Sequence, residues 1–149
     1  MRPKKQIDRR TVLGAAITAV AALGEPAGVQ SEVLLSTSSS WDGVPYGAYP
    51  EGTPQISVRK VMIPARGELE WHAHPMPSAA YVLSGEITVV AQKDGTRQHF
   101  TAGQVIPETV NSGHRGFVGE YPATFIVFYA GATGLPWSVS TQAGKGKRP

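Results

Sequence analysis

Three of the four histidines in this chain stand at spacings that suit a metal centre. His72 and His74 are two residues apart in a segment with strand character, so both imidazoles point to the same face of a strand. His114 follows forty residues later, after a glycine turn. A β-barrel could bring the three side chains to one ion, because neutral imidazole is a good ligand for Zn, Cu, Fe and Ni. The chain has no cysteine, which excludes thiolate ligands, disulfides and a cysteine nucleophile.

The elements that must position these histidines are short strands. Apolar or alternating segments separated by turn signals favour an all-β sandwich or barrel. Strands are predicted at residues 56–63, 69–74, 80–83, 87–91, 96–100, 105–106 and 123–129. Asp94 and Gly95 predict a tight hairpin between two of these strands. No helical period of useful length follows residue 31.

The residues around the histidines resemble the two motifs of the cupin superfamily. In the first motif a glycine is followed at fixed spacing by His-x-His, a glutamate and a second glycine, and His72, His74 and Gly85 fit that spacing. In the second motif a glycine precedes a proline, a glycine and a histidine, and Gly103 and His114 fall at the matching positions. The resemblance covers roughly residues 40–137 and implies a cupin barrel, a double-stranded β-helix or jelly roll.

The chain departs from both motifs at several positions. Ser78 stands at the position of the metal-binding glutamate, and Arg66 stands at the first glycine. Thr109 and Asn111 replace the proline and the glycine of the second motif, and Val118 replaces its final asparagine. Because asparagine tolerates the left-handed backbone conformation, we expect the turn at Asn111 to survive.

The resemblance and its departures together imply a metal centre of three neutral histidines, His72, His74 and His114, with no carboxylate. Some members of the superfamily that cleave C–C bonds or oxidise thiols use three histidines in this way. About three positions of an octahedral ion would remain open to water, substrate or dioxygen. Without the glutamate the centre is one unit more positive, which favours a small anionic or chelating substrate. We expect Fe(II), with Mn, Ni, Cu and Zn as alternatives.

Glu108, six residues before His114, is the candidate catalytic residue. Its carboxylate could bind the metal, accept a proton beside it, or orient a histidine, and a solvent-exposed glutamate at a strand end is the alternative. Ser78 could hydrogen-bond a bound water or simply leave space. We expect His99 to be an exposed strand residue and not a ligand, and strand parity predicts that Trp71 points away from the histidines.

Two functions fit this interpretation. The first is a non-haem metal-dependent oxidoreductase of the dioxygenase type that acts on a small chelating or anionic substrate, and lyase or isomerase chemistry is possible on the same scaffold. The second is a non-catalytic periplasmic module that binds a metal or a small ligand. The fold alone does not distinguish them.

Residues 1–31 are predicted to be an export signal, cleaved near residues 21–31. The uncharged run at residues 11–23 is too short to span a membrane and suits a secretory signal. Arg9 and Arg10, followed by one residue and two apolar ones, resemble a twin-arginine signal. An ordinary secretory signal or an uncleaved anchor is the alternative. We therefore expect the protein to be exported to the periplasm, without stable membrane insertion once processed.

The charge distribution argues against a nucleic-acid partner. The formal net charge is +3, and residues 1–31 account for it with five basic and two acidic residues. The predicted single domain, residues 32–142, begins with an extended arm, and residues 143–149 form a basic tail predicted to be disordered. The barrel thus has no basic surplus. The resemblance implies a homodimer that binds a small-molecule substrate.

Overall fold

The computed structural model describes residues 28–142 as nine strands in two antiparallel sheets. The strands are β1 (Pro54–Ile63), β2 (His72–Ala73), β3 (Ser78–Ser84), β4 (Glu86–Ala91), β5 (Arg97–Thr101), β6 (Val105–Pro107), β7 (His114–Phe117), β8 (Ala123–Ala132) and β9 (Val139–Ser140). One sheet has the order β1-β8-β3-β6 and the other β5-β4-β7-β2-β9. These residues contain no helix long and apolar enough to cross a membrane. The prediction of an all-β fold is confirmed.

The predicted export signal and the predicted C-terminal tail lie largely outside residues 28–142. The predicted export signal, apart from residues 28–31, lies outside the described residues, and so does the predicted tail at 143–149.

The longest ladder joins β1 to β8, with Pro54 opposite Ala132 and Ile63 opposite Ala123. In β8 the exposure alternates, and Phe125 and Val127 are among the buried residues. This alternation follows from the period of two in a strand, which points successive side chains to opposite faces. The buried faces of the two sheets enclose the core, whose members are Ile63, Met76, Ala80, Val82, Ile87, Val89, Phe100, Ile106, Val118, Ala123, Phe125, Val127 and Tyr129.

The strand predicted at 69–74 is shorter than expected. Only His72–Ala73 forms the strand β2, so the prediction is wrong for residues 69–71. Glu68 bridges to Phe117, whereas His72 pairs with His114, and these two pairings differ by one residue in register. The extra residue between them forms a bulge that interrupts the ladder just before the first histidine.

Four motif positions share a left-handed backbone whether or not they hold glycine. Gly85 and Gly103 have φ angles of 77° and 90°, and Arg66 and Asn111 have φ angles of 59° and 52°. Arg66 and Asn111 are the two non-glycine residues with positive φ among residues 28–142. The turn expected at Asn111 has therefore survived the loss of glycine, because a short polar side chain tolerates this conformation.

The segment before β1 is tied to the barrel by three contacts. The Trp41 amide donates to the carbonyl of Pro107 at 2.8 Å, and the Tyr46 hydroxyl donates to the carbonyl of Glu108 at 2.9 Å. The Lys93 ammonium lies 2.8 Å from the Asp42 carboxylate, whose side chain is 1% exposed. The arm therefore crosses the end of β6, next to the candidate catalytic residue.

Substituting Gly85 by alanine is expected to destabilise the protein strongly. A Cβ at this position would lie 2.6 Å from the carbonyl oxygen of Pro122, and the φ angle is left-handed. Gly95 has a similar φ of 73° but open space around it, so it is the matched control. We expect Gly85→Ala to lower the free energy of unfolding by about 3 kcal/mol and Gly95→Ala by about 1 kcal/mol in urea titrations. Equal losses would contradict the steric argument.

Replacing Asp42 by asparagine is expected to give a pH-dependent loss of stability. Burial alone would raise the pKa of Asp42, but Lys93, Ser40 and the Val44 amide hold it below its ordinary value of 3.8. Stabilisation by this carboxylate is then present above pH 3.8 and is lost as the pH falls through the lowered value. We expect Asp42→Asn to cost about 1 kcal/mol at pH 7, with the difference from wild type shrinking as the pH falls below 3.8 in unfolding measurements. A difference that does not change with pH would refute the role of the charge.

Candidate metal centre

The fold brings His72, His74 and His114 together. One ring nitrogen from each lies within 4.8 Å of the others. His72 is directly opposite His114 in the β2–β7 pairing, and their ring centroids are 4.5 Å apart. The His74 ring lies 5.0 Å from His72 and 5.2 Å from His114, on the same side of the chain as His72. His74 and His114 are buried, and His72 is partly exposed.

Backbone carbonyls determine the tautomers of the first two histidines. Nδ1 of His72 lies 2.7 Å from the carbonyl oxygen of Glu70, and Nδ1 of His74 lies 2.6 Å from that of Trp137. A carbonyl oxygen can only accept a hydrogen bond, so we assign the hydrogen of each neutral ring to Nδ1. The Nε2 atoms of both rings then carry free lone pairs.

The third histidine is held in the same way by a side chain. The Thr109 hydroxyl donates its single hydrogen to the Ser112 carbonyl at 2.9 Å, and so it accepts one from Nδ1 of His114 at 2.8 Å. Thr109 is the residue that replaces the motif proline. The departure from the motif therefore supplies a hydrogen-bond acceptor that orients this imidazole.

Glu108 adds a fourth acceptor to this cluster. Its Oε2 atom is buried and accepts no hydrogen bond, although it lies only 3.1 Å from Nε2 of His114. Two atoms with free lone pairs repel each other at this distance unless a proton or a metal cation lies between them. Three imidazole nitrogens and one carboxylate oxygen are a donor set that fits a divalent transition metal. The residues present therefore fit the metal that the motif resemblance implies.

The titration of His72 and His74 agrees with a ligand role for these two residues. Burial lowers the pKa of His72 and His74, because a charged imidazole would lose its solvation. Burial also opposes a charge on His114, but the Glu108 carboxylate raises its pKa above the ordinary value. Burial alone would raise the pKa of Glu108, and the neighbouring His114 lowers it instead. Glu108 is therefore ionised at neutral pH.

The position of Glu108 explains the absence of a glutamate at Ser78. Ala79 is opposite Pro107 in the β3–β6 ladder, and the Glu108 amide continues this register by donating to the Ser78 carbonyl at 2.9 Å. Glu108 is thus the cross-strand neighbour of Ser78. Glu108 is 9% exposed, which excludes the solvent-exposed alternative, and Ser78 is buried with its hydroxyl unpartnered. A carboxylate therefore lies directly across from the motif position that Ser78 occupies.

The four groups line a cavity of about 310 Å³. Most of the remaining wall is apolar, formed by Val61, Leu69, Ala80, Ile87, Val89, Ile106, Phe125 and Val127. Arg59, Glu70, Tyr129 and Ser138 also line the cavity. Arg59 is exposed to solvent, so the cavity opens to solvent at that residue.

Two other residues considered in the sequence lie away from the cavity. The ring of Trp71 faces Arg115, whose guanidinium carbon is 4.7 Å from the ring centroid, and Trp71 does not line the cavity. The imidazole of His99 is half-exposed on β5, 3.3 Å from the Glu86 carboxylate. Neither belongs to the histidine group.

Sequence reasoning did not find Arg59 or the carbonyl of Trp137. A signal for Arg59 existed, because it alternates with Val61 and Ile63 on the inward side of a predicted strand. No comparable signal marked Trp137, since a backbone carbonyl carries no residue-type information.

No protein-family model matches the chain, and no curated protein matches it. Several solved structures match the chain. The DMSP lyase DddQ from Ruegeria pomeroyi DSS-3 matches with a TM-score of 0.52 and 18% identity, over 66% of this chain and 47% of that chain. The polyketide cyclase RemF from Streptomyces resistomycificus matches with a TM-score of 0.52 and 18% identity, over 60% and 63%. The oxalate decarboxylase from Lactobacillus farciminis matches with a TM-score of 0.50 and 24% identity, over 58% and 26%.

The chain thus spans less than two thirds of the length of each of these three proteins. At such identities the likeness concerns the fold. Together with the two antiparallel sheets and the converging histidines, it confirms the architecture that the motif resemblance implied. The chain has the cupin fold, an all-β barrel of the jelly-roll type.

Proposed function

We propose that this protein is a metal-dependent enzyme that acts on a small anionic or chelating substrate. The observation that carries the proposal is the convergence of one ring nitrogen from each of His72, His74 and His114 in one cavity, with the Glu108 carboxylate 3.1 Å from His114. Fe(II) is the ion we favour, with Mn, Ni, Cu and Zn as alternatives for the same donors. Such an ion, when bound, supplies Lewis acidity and, if it is Fe(II), the capacity to activate dioxygen.

The chain's own residues bind the substrate and handle its proton. We propose Glu108 as the proton acceptor, because it is an ionised carboxylate inside the cavity and the Tyr46 hydroxyl holds its backbone in place. The apolar walls lower the polarity of the space beside the histidines, which strengthens electrostatic interactions within it. A cavity of about 310 Å³ admits a small molecule and excludes a polymer.

For the reaction class we propose a dioxygenase-type oxidation by a non-haem metal centre. A lyase reaction is the second candidate, and the buried Glu108 is the observation that favours it, because elimination begins with removal of a proton by a positioned base. DddQ, which shares the fold, is a lyase. Oxygen uptake distinguishes the two classes, since elimination consumes no dioxygen.

Metal analysis of protein purified without added metal tests the centre. We expect about one divalent ion per chain in the wild type and less than about a tenth of an equivalent in His72→Ala, because two imidazoles hold the ion far more weakly than three. His99→Ala is the matched control and should keep its metal. Absence of metal from the wild type, even after incubation with Fe(II) or Zn²⁺, would overturn the proposed function.

Activity measurements on the metal-loaded protein follow from the same proposal. Oxygen consumption with diketones, catechols and thiols indicates oxidation, and substrate loss without oxygen consumption indicates a lyase. Metal and ligand binding without any turnover would instead identify a non-catalytic binding protein.

Exchanging the residues at positions 78 and 108 tests the role of the Glu108 carboxylate. We expect Glu108→Ser to weaken Zn²⁺ binding about ten- to hundredfold, because the charge beside the imidazoles is lost. Adding Ser78→Glu to that variant should recover much of the affinity, since the two positions are cross-strand neighbours. Zn²⁺ titration calorimetry measures both effects. If Glu108→Ser binds Zn²⁺ as tightly as the wild type, Glu108 does not act at the metal.

A further inference from the structure

One cation in the cavity has no role in the metal centre. Arg59 lies on β1, where its side chain alternates with Val61 and Ile63 toward the inside of the barrel. Arg59 is exposed at the point where the cavity opens, so its guanidinium reaches both the cavity and the solvent. Among residues 28–142, Arg59 is the only lysine or arginine that lines this cavity.

No acidic residue in the described part of the chain forms an ion pair with this guanidinium. The ion pairs among residues 28–142 involve Arg66, Lys93, His99, His114 and Arg115, and Arg59 takes part in none of them. The two acids that line the cavity have other partners, since Glu108 lies beside His114 and the Glu70 carboxylate accepts from the Gln142 amide. Arg59 therefore offers charged donors to an anion that enters the cavity.

The guanidinium is also held in a defined place. Its carbon lies 4.6 Å from the centroid of the Trp137 ring, a distance that allows a cation–π contact. The Tyr129 hydroxyl is close enough to the guanidinium for Arg59 to affect its pKa, and the Tyr129 ring is 5.6 Å from the ring of His74. Burial raises the pKa of Tyr129, so this hydroxyl keeps its hydrogen at neutral pH. Arg59 is therefore one side chain away from the histidine group.

Trp137 connects Arg59 to the metal centre directly. Its ring supports Arg59, and its carbonyl oxygen accepts the Nδ1 hydrogen of His74. The same residue thus orients an imidazole and a guanidinium at once. A group bound at Arg59 lies beside the histidines, at the end of the cavity that opens to solvent.

We propose that Arg59 anchors the carboxylate of a small monocarboxylic acid, with Trp137 and Tyr129 as positioning residues. The planar guanidinium matches a carboxylate with two parallel hydrogen bonds. A single arginine balances one negative charge, which favours a monoanion over a phosphate dianion. The apolar walls suit a short hydrocarbon chain behind the carboxylate. This assignment rests on the proposed function only in placing the other end of the acid at the metal.

Butanoate and its uncharged analogue butanamide are suitable probes of the full-length protein. We expect saturable binding of butanoate and weaker binding of butanamide. Calorimetry or tryptophan fluorescence measures both. Arg59→Met should raise the Kd for butanoate about tenfold or more and leave the Kd for butanamide unchanged, because charged hydrogen bonds are lost. Arg59→Lys keeps the charge but not the planar guanidinium, so its Kd for butanoate should lie between those of the wild type and Arg59→Met.

Arg97 provides the matched control. It is an exposed arginine on β5 that stacks on Phe117 at 5.7 Å, lines no part of the cavity and has no ion-pair partner among residues 28–142. Arg97→Met should bind butanoate like the wild type. Equal Kd values for the wild type and Arg59→Met, or equal weakening in both methionine variants, would overturn the anchor. Tighter binding of inorganic phosphate than of butanoate would overturn the carboxylate assignment.

The metal proposal is tested separately in the same samples. The titrations are made on metal-free and on Zn²⁺-loaded protein, and the metal content of Arg59→Met should equal that of the wild type. If the protein takes up no Fe(II) or Zn²⁺ but binds butanoate in a way that depends on Arg59, the anchor is supported and the metal centre is overturned. A normal metal content, with butanoate binding that does not depend on Arg59, would support the metal centre and overturn the anchor.

Discussion

The Nδ1–H hydrogen bonds of three histidines are the interactions on which the rest of this site depends. The carbonyl oxygens of Glu70 and Trp137 hold two of the rings, and the Thr109 hydroxyl holds the third. Each bond leaves an Nε2 lone pair free and aims it at a common point. The acceptors come from three separate segments of the chain. The site therefore forms only when the two sheets and the loop after β8 are all in place.

The charges of the cavity are ordered along its length. The inner part holds Glu108 beside the imidazoles, and the solvent-exposed part holds the unpaired guanidinium of Arg59. A divalent ion at the histidines would offset the buried carboxylate, and a substrate carboxylate would offset the arginine. A buried carboxylate needs a compensating cation, and an arginine without an acidic partner among the described residues can accept an anion. Both charges therefore call for a partner. This requirement for partners connects the proposed function to the proposed substrate class.

Much of the fold followed from local rules that act within a few residues. Alternating burial and turn glycines located most strands within two or three residues, as in β8, because strand periodicity and left-handed turns are local properties. The strand before His72 was predicted too long. The bulge that shortens it arises from a register shift against β7, and register is a property of two strands together. The motif spacing identified the three histidines but did not show that Glu108 is buried.

The sequence by itself determined the chemistry that is available: three histidines in register with two motifs, no cysteine, and a serine in place of a glutamate. It also determined the left-handed turns at Gly85 and Gly103, because glycine adopts that backbone at little cost. Only the tertiary structure showed that the carboxylate of Glu108 is buried across from Ser78. Residues 78 and 108 become neighbours through cross-strand pairing, and no local pattern encodes a contact between positions thirty residues apart. For the same reason, only the closed barrel places Arg59 beside the histidines.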